Sequence, residues 1–256
     1  MELNNSIAAI ITGGGSGLGE GTARALAAKG VKVGIFDVNE EGGNRVAKEI
    51  GGVFAKVDVA DTNSVAEGIK LVRETHGQEN ICVNCAGVGW AAKTVDREGN
   101  PHDSDLFNKI IGINLIGTFN VASQSAAGMC TQDPITDDGE RGVIINTASV
   151  AAFDGQIGQL AYGASKAAVA GMTLPMARDL SRNGVRVMTI APGIFGTPMV
   201  QGMPQEVQDA LGAMIPFPSR LGKPAEYAQL ALSICENPLL NGETIRLDGA
   251  IRMAPK

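Results

Sequence analysis

Seven short apolar runs, separated by stretches with helical spacing, constrain this chain more than any other feature. The runs are SIAAIIT (6–12), VKVGIFD (31–37), VFAKVDV (53–59), ICVNCAG (81–87), GVIINTAS (142–149), VRVMTIAPG (185–193) and ETIRLDG (243–249). Continuous apolar runs of this length suit strands buried on both faces, and helices between them suit crossover connections. The pattern predicts an α/β fold in which a seven-stranded parallel sheet is doubly wound, with helices on both faces. No linker, repeat or low-complexity tract divides the 256 residues, so 1–256 reads as one domain. The stretch from about 194 to 225 is rich in Pro, Gly and Met, has a short helical pattern near 205–214, and reads as a substrate loop.

Bulk chemistry narrows the function classes. The chain carries 21 Lys+Arg against 27 Asp+Glu, a net charge of −6, and no basic run. Nucleic acid and anionic membranes are therefore not expected partners. No apolar stretch approaches the ~18 residues of a spanning helix. The start, MELNNSIAAIIT, lacks the features of a secretory signal or a transit peptide. A cytoplasmic location is expected, with the mitochondrial matrix as the alternative if the cell is eukaryotic. Cys82 and Cys85 form a C-x-x-C within an apolar run, and Cys130 and Cys235 are far away. His76 and His102 have no ligand spacing, so no metal is expected.

Glycine is in excess, at 34 residues, and part of the excess is concentrated at 12–19, TGGGSGLG, between the first strand and the first helix. The usable spacing is Gly13, Gly17 and Gly19. Glycines there permit positive φ and let backbone approach a pyrophosphate, whose charge a helix N-terminus favours. Asp37 ends the second strand, where a carboxylate can accept hydrogen bonds from both ribose hydroxyls and repel a 2′-phosphate. No Arg or Lys lies at 14–16 or 38–40. A Rossmann-type site for NAD, in preference to NADP, follows.

Tyrosine is scarce, with only Tyr162 and Tyr227, and Tyr162 stands four residues before Lys166. On a helix the two share a face. A free phenol has a pKa near ~10 and is a poor base at neutral pH. A neighbouring cation, together with an oxidised nicotinamide, would bring it toward the working range. Ser149 closes the fifth apolar run, at the edge where open α/β sheets place ligands.

Together these motifs resemble the short-chain dehydrogenase/reductase family over almost the whole chain. The likeness runs through Thr12-Gly13, Gly17 and Gly19, Asp58, Asn84-Cys85-Ala86-Gly87, Asn114, Ser149, Tyr162, Lys166, Pro192-Gly193 and Thr197. The resemblance implies a general acid/base role for Tyr162 and a dual role for Lys166, which would hold the nicotinamide ribose and tune the phenol. Ser149 would orient substrate oxygen, with Gln159 also against the substrate, and Asn114 would position a water in a proton relay. It further implies that Asp58 and Val59 contact adenine, and Ser16 and Leu18 the phosphate or ribose region. The strand end Asn84, Cys85, Ala86 and Gly87, and Pro192, Gly193, Phe195 and Thr197 on the nicotinamide side, would complete the cofactor site. Tyr227 matches no catalytic motif and reads as packing.

Most members carry Asn-Asn-Ala-Gly where this chain has Asn84-Cys85-Ala86-Gly87. That cysteine, RGVIINTASVAAF (141–153) and the tail NGETIRLDGAIRM resemble the family's NAD-dependent, tetrameric 3-hydroxyacyl-CoA-oxidising members. The implied reaction is oxidation of a short or branched 3-hydroxyacyl-CoA by a homotetramer. Reduction of 3-oxoacyl carrier protein, oxidation of a steroid or polyol, and a nucleotide-binding scaffold without catalysis are the alternatives.

Overall fold

The structure, a computed structural model, describes residues 1–255, the Met199 side chain excepted. Seven parallel strands form one sheet: β1 (Ala8–Thr12), β2 (Lys32–Asp37), β3 (Val53–Lys56), β4 (Ile81–Asn84), β5 (Gly142–Thr147), β6 (Val185–Pro192) and β7 (Thr244–Leu247). Their order is β3-β2-β1-β4-β5-β6-β7. The order reverses between β1 and β4, and that switch point opens the crevice in which a doubly wound sheet binds ligands.

Alternation along each strand supplies two apolar faces. Ile11, Val33, Ile35, Val83, Ile145 and Ile190 belong to one core, whose helices are α1 (Gly17–Ala28), α2 (Glu40–Ile50) and α9 (Pro224–Glu236). Ile10, Phe36, Cys82, Ile144 and Val187 belong to the other, against α3 (Thr62–His76), α5 (Thr118–Met129) and α6 (Leu160–Leu180). The remaining helices are α4 (Ser104–Ile111), α7 (Pro198–Gln201) and α8 (Gln205–Ala213). No helix among the described residues is long and apolar enough to cross a membrane.

Several element boundaries differ from the sequence reading, for one physical reason. β3, β4 and β5 stop at Lys56, Asn84 and Thr147, two or three residues before their apolar runs end. The strands part at the carboxyl edge, so residues beyond the last ladder pair turn into loops although they remain apolar. Ser149 is consequently not in β5; it caps a 3-10 turn, Val150–Ala152. A π turn at Gly112–Gly117 lies between α4 and α5. The helix α9 was not anticipated. Pro224 occupies its first turn, and Glu226 accepts the Lys223 N–H at 2.8 Å, a partial capping arrangement.

Candidate active site

The glycine turn is shaped by close backbone approach. Gly13 (φ +62°) and Gly17 (φ +54°) occupy the left-handed region. A Cβ at Gly13 would stand 2.9 Å from the Ala86 nitrogen, and one at Gly19 would collide with the Gly13 carbonyl oxygen. Ser16 is extended at the N-cap of α1, and its hydroxyl makes no capping bond. Leu18 packs against the core below. Gly17 faces Thr197, the N-cap of α7, so the turn and the 194–197 segment meet across the crevice.

Asp37 ties this turn to the end of β2. Its Oδ2 accepts the Gly15 N–H and its Oδ1 the Asn39 N–H, both at 2.9 Å. The paired glycines of α2 have a use here: a Cβ on Gly42 would come within 2.9 Å of the Gly15 carbonyl oxygen. Arg45, which the sequence reading passed over, donates to that same carbonyl at 3.2 Å and is held by Glu20 through two hydrogen bonds. Asp58 lies beyond β3 in an exposed turn, where its Oδ1 accepts the Ala60 N–H. Val59 is buried, and its carbonyl accepts from Asn120 at 2.9 Å. A cradle that any Cβ would fill, a helix N-terminus and a carboxylate at its rim fit a dinucleotide.

At the switch point, Cys85 and Ala86 donate to the Thr12 carbonyl (3.2 Å) and hydroxyl (3.0 Å). Asn84 turns inward and donates to Asn146 at 3.0 Å, stapling β4 to β5. Cys82 and Cys85 are three residues apart on a strand and its extension, so they face opposite sides of the sheet. Cys82 meets Ser125, and Cys85 meets Thr147. Burial pushes the Cys82 thiol up to about 12 and raises that of Cys85, which leaves both as inert thiols. Across the crevice, Gly193 donates to the Leu247 carbonyl, Pro192 ends β6, and buried Phe195 bridges to Gly222.

Ser149, Tyr162 and Lys166 converge above the β4–β5 ends. The Ser149 hydroxyl oxygen accepts the Ala151 N–H at 3.1 Å, which leaves its hydrogen free to be donated. Burial raises the Tyr162 pKa, and a hydrogen bond with Ser149 offsets part of that rise. The Lys166 Nζ lies 5.9 Å from the Tyr162 ring centre and donates to the Thr147 carbonyl at 2.8 Å. Burial lowers the Lys166 pKa to about 8. Ser149 thus acts on the phenol through a hydrogen bond, while the Lys166 ammonium stands near the ring. The lysine is held below, one helical turn along the same face.

Asn114 is fully buried in the π turn. It accepts the Val88 N–H at 2.8 Å and donates to the Val88 carbonyl and Ser165 hydroxyl. Its amide is thereby committed to fixing the chain at Val88, just after β4. A Cβ on Gly87 would lie 3.3 Å from both Asn114 Oδ1 and Lys166 Nζ, so these three residues share one corner. Gln159 stands at the start of α6, with its side chain on Gln156 and its backbone bridged to Ala92. Thr147, which holds the lysine, also escaped the sequence reading, and Tyr227, read there as packing, holds Thr147 at 2.7 Å. The one clue was a lone phenol within the otherwise apolar face of PAEYAQLALSIC.

Comparison with known proteins agrees with this geometry. The family model described as short chain dehydrogenase matches residues 7–208. The chain is 52% identical to 3-hydroxyacyl-CoA dehydrogenase type-2 of Drosophila melanogaster, over 99% of this chain and 100% of that one. It is 50% identical to the Homo sapiens protein of the same name, over 97% and 96%. The crystal structure of 3-hydroxyacyl-CoA dehydrogenase type-2 from Mycobacterium avium superposes with a TM-score of 0.94 at 43% identity, covering 98% of both chains. The chain belongs to the short-chain dehydrogenase family and is an oxidoreductase that works with a nicotinamide cofactor.

Proposed function

We propose that the protein oxidises the 3-hydroxyl of a short or branched 3-hydroxyacyl-CoA to the 3-oxoacyl-CoA, with NAD as the cofactor. The observation that carries this reading is the convergence of Ser149, Tyr162 and Lys166 beside the glycine turn. The substrate class rests on the names of the relatives. Preference for NAD rests on the Asp37 carboxylate at the rim, with Arg45 tied up by Glu20.

A bound nicotinamide would supply the acceptor for the hydride. The side chains of the protein handle the oxygen and the proton. Ser149 donates a hydrogen bond to the substrate oxygen while its own oxygen stays capped by Ala151. Tyr162 takes the hydroxyl proton, and Lys166 favours the phenolate electrostatically and holds the ribose. Asn114 fixes the backbone of 88–89 beside the tyrosine ring, and any water of a proton relay would sit on main-chain groups there. Asp58 and Val59 line the adenine end, Ser16 and Leu18 the phosphate end, and Phe195 and Thr197 the nicotinamide end. Gln159 borders the substrate.

In this reading the chain works as one catalytic domain whose loop at about 194–225 closes on the substrate. Self-association as a homotetramer belongs to the proposal. Ile116, Phe119, Phe153 and Leu174 are each about half exposed and supply apolar surface for it. All four cysteines are free thiols, which suits the cytoplasm proposed as its location.

The test is a set of initial rates over straight and branched 3-hydroxyacyl-CoA lengths with NAD and with NADP. Turnover of a short or branched acyl-CoA, faster with NAD, is expected. Tight binding of NADH without turnover of any substrate would replace the reading with a scaffold. Faster NADPH-driven reduction of 3-oxoacyl carrier protein would replace it with a biosynthetic reductase.

A further inference from the structure

Tyr227 is the second tyrosine of the chain, and the chemistry above makes no use of it. It is fully buried on α9, with its hydroxyl 2.7 Å from Thr147 Oγ1. The Cys85 thiol closes a triangle, 3.6 Å from the Thr147 hydroxyl and 3.7 Å from the Tyr227 hydroxyl. Packing alone needs only the ring. A hydroxyl sealed from water must be partnered or it costs free energy, and its partners here are Thr147 and Cys85.

Thr147 has a second task, because its carbonyl accepts the Lys166 ammonium at 2.8 Å. It is the last residue of β5 with a ladder partner, Ile190 of β6, and on its other side β4 has already ended at Asn84, opposite Asn146. The strands part at this level to open the crevice, and side chains take over where backbone bonds stop. The carbonyl that holds the buried cation therefore belongs to a threonine anchored by its side chain to a different element.

We propose that Tyr227 is a positioning residue for the reaction: its hydrogen bond to Thr147 holds in place the carbonyl that orients the Lys166 ammonium, and Cys85 fills the third corner of the brace. The proposal rests on the role given to Lys166 under the proposed function. The titratable groups facing that lysine are Tyr162 on its own helix, Cys85 from the loop after β4 and, behind Thr147, Tyr227 from α9. Burial raises the pKa of both Cys85 and Tyr227, so each stays neutral through the working range. The titration that limits the rate belongs to Tyr162 and Lys166.

The sign follows directly. A loosened Thr147 deprives the buried ammonium of its acceptor and so disfavours the charged lysine. Tyr162 then loses its neighbouring cation, and its phenolate forms at higher pH. Since oxidation needs the phenolate, the acid limb of kcat/KM moves upward in pH.

The test uses the whole protein with NAD and 3-hydroxybutyryl-CoA, and compares Tyr227→Phe, Thr147→Val and Thr147→Ser for pH profile, kcat and thermal melting. Tyr227→Phe and Thr147→Val are expected to move the acid limb to higher pH and to lower kcat about tenfold, the scale of one lost buried hydrogen bond. Thr147→Ser, which keeps the hydroxyl, restores both, and the double variant is no worse than either single one. An unmoved limb in Tyr227→Phe, or Thr147→Ser as damaging as Thr147→Val, overturns the proposal. If Tyr227→Phe fails to fold, the two Thr147 variants decide by the same criterion. Tyr162→Phe run alongside separates the two levels. Should that variant keep turnover, the catalytic reading and this proposal both fall; should it be inactive while Tyr227→Phe is unshifted, only this proposal falls.

Discussion

The two edges of the sheet handle charge in opposite ways. At the amino edge, buried charges are fully partnered. Glu140, just before β5, accepts from Arg186 at 2.7 and 2.9 Å, and Arg186 also donates to the carbonyls of Ile234, Cys235 and Leu240. Fully buried Glu79, just before β4, takes two bonds from Arg73. At the carboxyl edge, Lys166 is as buried but has a single carbonyl acceptor, and burial alone raises the Tyr162 pKa. A charge with all its partners holds a fold in place, whereas a charge short of partners is free to interact with a ligand. The difference separates residues that keep the sheet together from those proposed to do the chemistry.

Substitutions at the two edges should therefore fail in different assays. The largest effect on stability is expected at the amino edge. Glu140→Gln leaves the buried Arg186 guanidinium and the Met1 ammonium without their counter-charge and should cost about 3 kcal/mol of stability. Thermal melting should fall by roughly 6–12 °C for a chain of this size, with kcat of the surviving fold unchanged. A stable variant with impaired kcat would erase the distinction.

Next comes Gly19→Ala at the carboxyl edge, whose Cβ collides with the Gly13 carbonyl and deforms the cradle. Affinity for NAD, followed by titration with NADH fluorescence, should drop on the order of a hundredfold, the scale of one or two lost charge-assisted hydrogen bonds. Unchanged affinity would mean that the turn does not hold the pyrophosphate. The smallest effect should come from Asp37→Asn, which keeps the acceptor for Gly15 and removes the charge. The ratio of kcat/KM for NADP to that for NAD should rise about tenfold; a ratio that stays put would take Asp37 out of cofactor choice.

Legibility in the sequence follows the same division. Local signals carried most of the fold: apolar runs marked the seven strands, and the glycine turn and Asp37 marked the half proposed for the nucleotide, because backbone geometry demands particular residue types there. Tyr162 and Lys166 are one turn apart on one helix, so their pairing could be read directly. Strand ends could not, since they are set by where a neighbouring ladder stops, and Ser149 and Asp58 consequently lie in turns. The committed amide of Asn114 was hidden because its partners, Val88 and Ser165, come from separate segments. Thr147 and Tyr227 are 80 residues apart and meet only through tertiary packing. Arg45 reaches the glycine turn from 30 residues away, in the middle of α2, where no local pattern marks it.

The most direct measurement is the turnover of Tyr162→Phe with NAD and a 3-hydroxyacyl-CoA that the unaltered protein oxidises. Loss of the phenolic oxygen should lower kcat by roughly a thousandfold, in the range expected for removal of a general base, while NADH still binds and the melting temperature holds. Turnover close to that of the unaltered protein, with NADH binding intact, would contradict the assignment of Tyr162 as the group that takes the proton.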